Sequence, residues 1–296
     1  MKKVITKAIF PVAGYGTRFL PATKAYPKEM LPIIDKPIIQ YSVEEAVAAG
    51  CTELIFITNH AKKAIEDHFD RNIALDQHLL QKQEFANLDL INKIIPPHVT
   101  CIYLRQPQPK GLGHAIACAR SLIQDEPFAV ILADDLIRCK SKSCLSQLIS
   151  KYEETKCSVI AVEQVKAEQV SSYGIVSFKN HESDGGYINS IVEKPDLALA
   201  PSNSAVVGRY ILTPSIFEAI ELNSQTQHGS ELQLTDALQK QLEWENIFAL
   251  EFSGERYDCG RKSEYLRAIL EYAAEDPEYA IVLHTAMKKL NNMATI

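Results

Sequence analysis

The chain has 296 residues, 46% apolar and 23% charged, enough to bury one large core or one core with a smaller appended lobe, and its formal net charge is −6. That charge excludes broad nucleic-acid binding, which needs a basic surface, and apolar runs such as Phe128 to Ala133 fall far short of the ~20 residues a membrane span needs. The seven cysteines, at 51, 101, 118, 139, 144, 157 and 259, form no C-x-x-C pair, which excludes a disulfide framework and a zinc cluster and points to reduced thiols in a soluble, cytoplasmic protein.

In chain order, Ile5 to Val12, Glu53 to Thr58, Val99 to Leu104 and Phe128 to Leu132 predict buried strands, with helices over Ile38 to Ala49, Ala61 to Phe69 and His114 to Ile123 between them. This alternation implies an α/β fold: a Rossmann-like mixed, mainly parallel sheet flanked by helices. The polar, helical stretch from Asn72 to Asn92 predicts an exposed excursion or two-helix insert. Beyond Cys157 come shorter strands, Ser158 to Val165, Gly174 to Phe178, Tyr187 to Glu193 and Ala205 to Leu212, expected to add an antiparallel part over a cleft. A helix is expected at Thr213-Pro214, and another at Ser230 with Gln233 completing a capping box. From Lys262 onward two amphipathic helices meet near Pro277.

The first strand runs into Pro11-Val12-Ala13-Gly14-Tyr15-Gly16-Thr17-Arg18, a glycine turn whose backbone N–H groups can approach an anion closely. Phe19 stands where the dinucleotide fingerprint needs a third glycine, and the Gly-Lys-Ser/Thr of a P-loop is absent. Arg18, Lys24 and Lys28 share the segment with Pro21, Pro27 and Pro32, which pin it and present the cations. Asp134 closes the strand from Phe128, at the sheet edge where open α/β folds bind ligands, and a carboxylate there suits Mg²⁺. Asp135, its neighbour, should point away. Gln106 offers a donor and an acceptor side by side, complementary to the N3–H and O4 edge of uracil. His114 is expected to be structural.

Pro11 to Arg18, Leu20-Pro21-Ala22-Thr23-Lys24, Pro27 to Pro32 and Asp35-Lys36-Pro37 closely resemble bacterial UTP–glucose-1-phosphate uridylyltransferases. The likeness continues through Pro109 to His114, Asp134-Asp135, Val192 to Pro195, Val206 to Tyr210, Glu231 to Asp236 and Arg256 to Gly260, covering nearly the whole chain in order. Tyr15 stands where leucine is usual and Ala133 where proline often precedes the acidic pair.

The resemblance implies a single nucleotidyltransferase domain of glycosyltransferase-A-like fold over 1–296. Its nucleotide-binding part is 1–156, its sugar-binding part 157–260, and its C-terminal helices, 261–296, are candidates for assembling a homodimer or homotetramer. It implies conversion of UTP and glucose 1-phosphate to UDP-glucose and pyrophosphate with Mg²⁺. Arg18 and Lys28 would be catalytic, on the leaving pyrophosphate and the α-phosphate respectively. Ala13, Gly14, Gly16, Thr17, Gln106 and Gly111 would hold the nucleotide. Gly174, Glu193, Lys194 and Gly208 would hold the sugar phosphate, although Glu193 and Lys194, as strand neighbours, need a twist to reach one ligand. Asp134 and Asp258 would take the metal. Transfer from dTTP is the alternative within the class. A catalytically weak regulatory paralogue should have relaxed Arg18 and Lys28, and a dinucleotide-dependent oxidoreductase lacks its third glycine at Phe19.

Overall fold

The computed structural model describes residues 5–226 and 231–293. The chain begins with β1 (Lys7–Pro11), three single 3₁₀ turns (Thr17–Phe19, Ala22–Lys24, Lys28–Met30), β2 (Pro32–Ile33), β3 (Lys36–Pro37), α1 (Ile38–Ala49) and β4 (Glu53–Thr58). It continues through α2 (Lys63–Phe69), α3 (Ile73–Lys82), α4 (Phe85–Asn92), β5 (Thr100–Arg105), α5 (Leu112–Ala117), α6 (Arg120–Ile123), β6 (Phe128–Ile131), β7 (Asp135–Arg138) and α7 (Cys144–Thr155). The remainder comprises β8 (Ser158–Gln164), β9 (Gly174–Glu182), β10 (Gly185–Glu193), β11 (Ser204–Leu212), α8 (Ile216–Thr226), α9 (Leu234–Gln241), β12 (Ile247–Glu251), β13 (Glu255–Asp258), α10 (Lys262–Glu275) and α11 (Pro277–Met293).

One nine-stranded sheet in the order β5-β4-β1-β6-β11-β8-β12-β10-β9 forms the middle layer. Its first four strands are mutually parallel, β8 and β12 are parallel, and β11 runs antiparallel between β6 and β8, as does β10 beside β12 and β9. The sheet is therefore parallel on the side of the glycine turn and mixed beyond it. Alternation along β1 and β4 sends Phe10 and Phe56 to one face, stacked at 5.0 Å, and Ile9, Ile55 and Ile57 to the other. Helices α1 and α7 cover the first face through Val43, Leu145 and Leu148; α5, α6, α8 and α9 cover the second through Ile116, Ile123, Ile216 and Leu238. A smaller cluster of Ile33, Ile38, Leu136, Tyr257 and Ala268 fastens the β7–β13 ribbon and α10 beneath the proline-rich loop.

Expected and observed elements agree most closely where periodicity is unbroken, as in α1 and β4. The helix expected over His114 to Ile123 instead starts at Leu112 and divides into α5 and α6, because the ladder tightens at Ala119, whose N–H bonds Ile116 O at 3.0 Å. Strand β9 outlasts its apolar half, running to Glu182 against β10. Ser230, proposed above as a helix cap, lies outside the described residues, and α9 starts at Leu234 with Gln233 as N-cap and no side-chain cap bond. The insert from Asn72 is two helices, α3 and α4, with Ile73, Phe85 and Leu90 exposed. Among the described residues no helix is long and apolar enough to cross a membrane.

Candidate active site

Because β1, β4, β5 and β6 are parallel, their carboxyl ends fall along one edge of the sheet, the edge at which such sheets take ligands. At the end of β1 the chain is held to β4 by Val12 N–H to Ile57 O, 2.9 Å, then turns away. Asn59 Nδ2 donates to Ala13 O at 2.5 Å and Thr23 Oγ1 to Gly16 O at 2.7 Å, so two carbonyls of the turn are tied back into the protein. Gly16 has φ +65°, the left-handed region that favours glycine, and an added Cβ would lie 3.0 Å from Lys28 Cβ. The turn and the segment carrying Lys28 are thus packed directly on one another.

A cavity of about 210 Å³ opens beside this turn, lined by Ala13, Tyr15, Asn59 and Gln106 with Pro107 and Pro109. Gln106 is buried, and its Nε2 donates to Gly111 O at 3.2 Å and lies 2.9 Å from His114 Nδ1. The expectation that Gln106 shows a ligand both a donor and an acceptor therefore needs correction, since its donor end is spent within the protein and its acceptor remains. Gly14 and Thr17 are exposed on the turn, and Gly111 sits against Leu232, whose carbonyl would be 2.6 Å from an added Cβ.

A second cavity, also about 210 Å³, gathers Arg18, Asp134, Gly174, Glu193, Lys194, Gly208 and Asp258. Asp134 follows β6, and its Oδ2 receives Lys28 Nζ at 2.6 Å. Burial alone would raise the Asp134 pKa, but the Lys28 ammonium outweighs it and leaves the value lowered. Burial likewise opposes the charge on Lys28, and the carboxylates of Asp134 and Glu29 overcome it, raising its pKa. Asp135 does not point away as expected: it lines the same cavity, because Gly208 N and Arg256 Nε, donating to its oxygens at 2.8 and 2.7 Å, hold the carboxylate there. Burial pushes its pKa up to about 6, with Arg256 pulling down against Asp258 and Asp134. Asp258 accepts from Tyr173 Oη at 3.0 Å. A Cβ built on Gly260 would stand 3.0 Å from Asp258 Oδ1, 3.1 Å from Asp134 Oδ2 and 3.4 Å from Arg18 Nη1, so two carboxylates and a guanidinium converge on one point.

The Glu193–Lys194 problem is solved by the backbone. Glu193 ends β10, and Lys194 takes φ 43°, a left-handed conformation rare for a side-chain-bearing residue, which breaks the strand alternation. Lys194 Nζ then lies 3.0 Å from Glu193 Oε1, while Thr235 Oγ1 donates to Glu193 Oε2 at 2.9 Å. Gly174 and Gly208 have reasons of their own to be glycine: a Cβ would meet Thr235 Cγ2 at 2.5 Å in the first and Asp135 Oδ2 at 2.6 Å in the second. Sequence reasoning did not assign Thr235, Tyr173 or Arg256 a place here, although Thr235 and Arg256 stand inside the matched segments. Arg256, buried, also pairs with Glu163 at 2.5 Å and lies over the Tyr173 ring at 4.8 Å. Asn59 and the buried Glu29–Lys62 pair, 2.7 Å apart, carried no sequence signal at all.

A cation-bearing glycine turn, a carboxylate pair and a second polar cavity on the same sheet edge are the equipment of an enzyme that handles a nucleoside triphosphate and a small phosphorylated acceptor. The model of the nucleotidyl transferase family matches residues 7–275, and the chain belongs to that family. It is 47% identical to a UTP–glucose-1-phosphate uridylyltransferase of Bacillus subtilis (strain 168), with all of both chains covered. A UTP-bound UGPase from Acinetobacter baumannii superposes with TM-score 0.88 at 42% identity, covering 97% of this chain and 99% of that one. A UDP-glucose pyrophosphorylase complexed with UDP-glucose gives TM-score 0.83 at 46% identity, covering 92% and 100%.

Proposed function

We propose that the protein transfers a uridylyl group from UTP to glucose 1-phosphate, releasing pyrophosphate and UDP-glucose. The observation that carries this reading is the convergence of Arg18, Asp134 and Asp258 in one cavity with Glu193 and Lys194, beside a separate cavity that Gln106 lines. An oxygen of the sugar phosphate, already anionic, attacks the α-phosphorus in line; the bond from that phosphorus to the bridging oxygen breaks, and pyrophosphate leaves with the electron pair. No covalent nucleophile is needed. Lys28, kept cationic by its raised pKa, meets the charge that develops at the α-phosphate, and Arg18 faces the leaving pyrophosphate. Glu193 accepts hydrogen bonds from sugar hydroxyls, and Lys194 holds the sugar phosphate as a point charge.

Two carboxylates converging beside a cationic turn are a hard-oxygen donor set of the kind Mg²⁺ takes, and Asp134 and Asp258 would hold it. When bound, the ion supplies neutralisation of phosphate charge. Pyrophosphate release measured with glucose 1-phosphate and each of UTP, dTTP, GTP and ATP tests the reading. UTP should be used best and dTTP more weakly, and equal rates with UTP and GTP would overturn the assignment of the base site.

A further inference from the structure

His114 stands outside both cavities' linings but touches Gln106, the residue proposed above to meet the base. A backbone carbonyl only accepts, so the Gln106 atom 3.2 Å from Gly111 O must be the amide nitrogen. The same nitrogen lies 2.9 Å from His114 Nδ1, which must therefore accept, placing the ring proton on Nε2 of a neutral imidazole. Burial, and then the neighbouring Lys110 ammonium, lower the pKa of His114 and favour that neutral ring. Both amide hydrogens of Gln106 are consumed, and Oε1 is the end left over. Turning the amide over would set Oε1 against the Gly111 carbonyl and would require the His114 ring proton to move from Nε2 to Nδ1.

We infer that His114 is a positioning residue for base choice: by fixing the Gln106 amide it presents Oε1, a pure acceptor, to the base. This inference rests on the proposal that the cavity beside the glycine turn receives the pyrimidine. Uracil carries an N3–H donor at the position where cytosine carries a lone pair, and the two rings are almost the same size. An acceptor held in that orientation admits the first and repels the second. Without His114 only the Gly111 carbonyl resists the turnover of the amide, and one amide hydrogen is left unpaired.

The test compares kcat/KM for UTP and CTP, with glucose 1-phosphate saturating, in the parent, His114→Leu and His114→Asn. His114→Leu should lower the UTP-to-CTP ratio about fivefold, the weight of one net hydrogen bond, while Asn, whose side-chain carbonyl can accept, should restore part of it. A merely structural histidine would depress both substrates equally and leave the ratio unchanged, which would overturn the inference. In the unmutated protein, ¹⁵N NMR of the histidine rings should find Nδ1 of His114 unprotonated near neutral pH, a readout independent of whether the variants fold. A protonated Nδ1 would also overturn it. A parent that fails to prefer UTP over CTP would remove the base-site reading itself, whereas a UTP-selective parent with an unaltered His114→Leu ratio would remove only the role of His114.

Discussion

Replacing Lys28 by methionine should separate two things its ammonium does. In the free protein Nζ lies 2.6 Å from Asp134 Oδ2, so a divalent cation that uses this carboxylate must first displace it. Two unit charges 4 Å apart attract by about 4 kcal/mol at an effective dielectric of about 20. The side chains are 25% and 29% exposed, however, and desolvation and solvent screening leave about 1–2 kcal/mol of net competition. Lys28→Met should therefore bind Mn²⁺, without nucleotide, about 5–30-fold more tightly than the parent. Turnover should fall by roughly 10²-fold if, as proposed, this cation meets the charge at the α-phosphate. Binding is read from the electron paramagnetic resonance of free Mn²⁺ during titration, turnover from pyrophosphate release, and folding from thermal melts. Unchanged Mn²⁺ affinity in a folded variant would refute Asp134 as a metal ligand, and near-full turnover at saturating substrate would refute the role of Lys28.

Lys194→Ala should raise the KM for glucose 1-phosphate at least tenfold while the calorimetric affinity for UTP alone stays near that of the parent; equal losses would place Lys194 elsewhere. Arg209, buried and paired with Glu45 at 2.8 Å, ties β11 to α1. Arg209→Met should cost about 3–5 kcal/mol by leaving Glu45 buried without its cation, seen as a lowered denaturation midpoint. Burial depresses the pKa values of His68 and His114 below 6.5, so the unfolded chain takes up protons first and stability present above pH 6.5 is lost as pH falls below it. The melting temperature should decline as pH drops from 6.5, and less steeply in His68→Asn.

What was legible in the sequence follows local regularity. Helix α1 and strand β4 occupy the expected residues because their apolar spacing is uninterrupted and Gly50, at φ 110°, ends the helix. The far half of β9, Asn180 to Glu182, is polar and exposed, so nothing in its composition marks it as strand; it is ordered by pairing with β10. The β7–β13 ribbon is equally silent, since its partners stand more than a hundred residues apart and its order comes from Leu136 and Tyr257 packing against α10. Periodicity reports what a segment buries, and these segments depend on what arrives later in the chain.

The candidate site was visible through resemblance more than through pattern, and the reason is geometric. Its parts stand where regular structure is interrupted. Lys194 reaches the cavity through a left-handed residue at the end of β10, and β11 shifts register between Val206 and Tyr210 at the point where Gly208 closes on Asp135. Asp134 occupies the turn after β6, and Arg18 and Lys28 ride on single 3₁₀ turns. A regular strand sends neighbouring side chains to opposite faces and engages their backbone groups in the ladder, so it can bring few adjacent groups to one small ligand. Breaking the ladder at Lys194 and Gly208 frees groups from two strands to face the carboxylates of a third element. Such breaks cost stability, and here Glu193, Thr235, Asp135 and Arg256 tie them down with hydrogen bonds of 2.7–2.9 Å. The residues that hold the breaks in place should therefore be as sensitive to substitution as those that would touch the ligands. A conservative Thr235→Val exchange, which removes only the hydroxyl on Glu193, should raise the KM for glucose 1-phosphate while leaving UTP binding intact; an unchanged KM would show that Glu193 keeps its position without that bond.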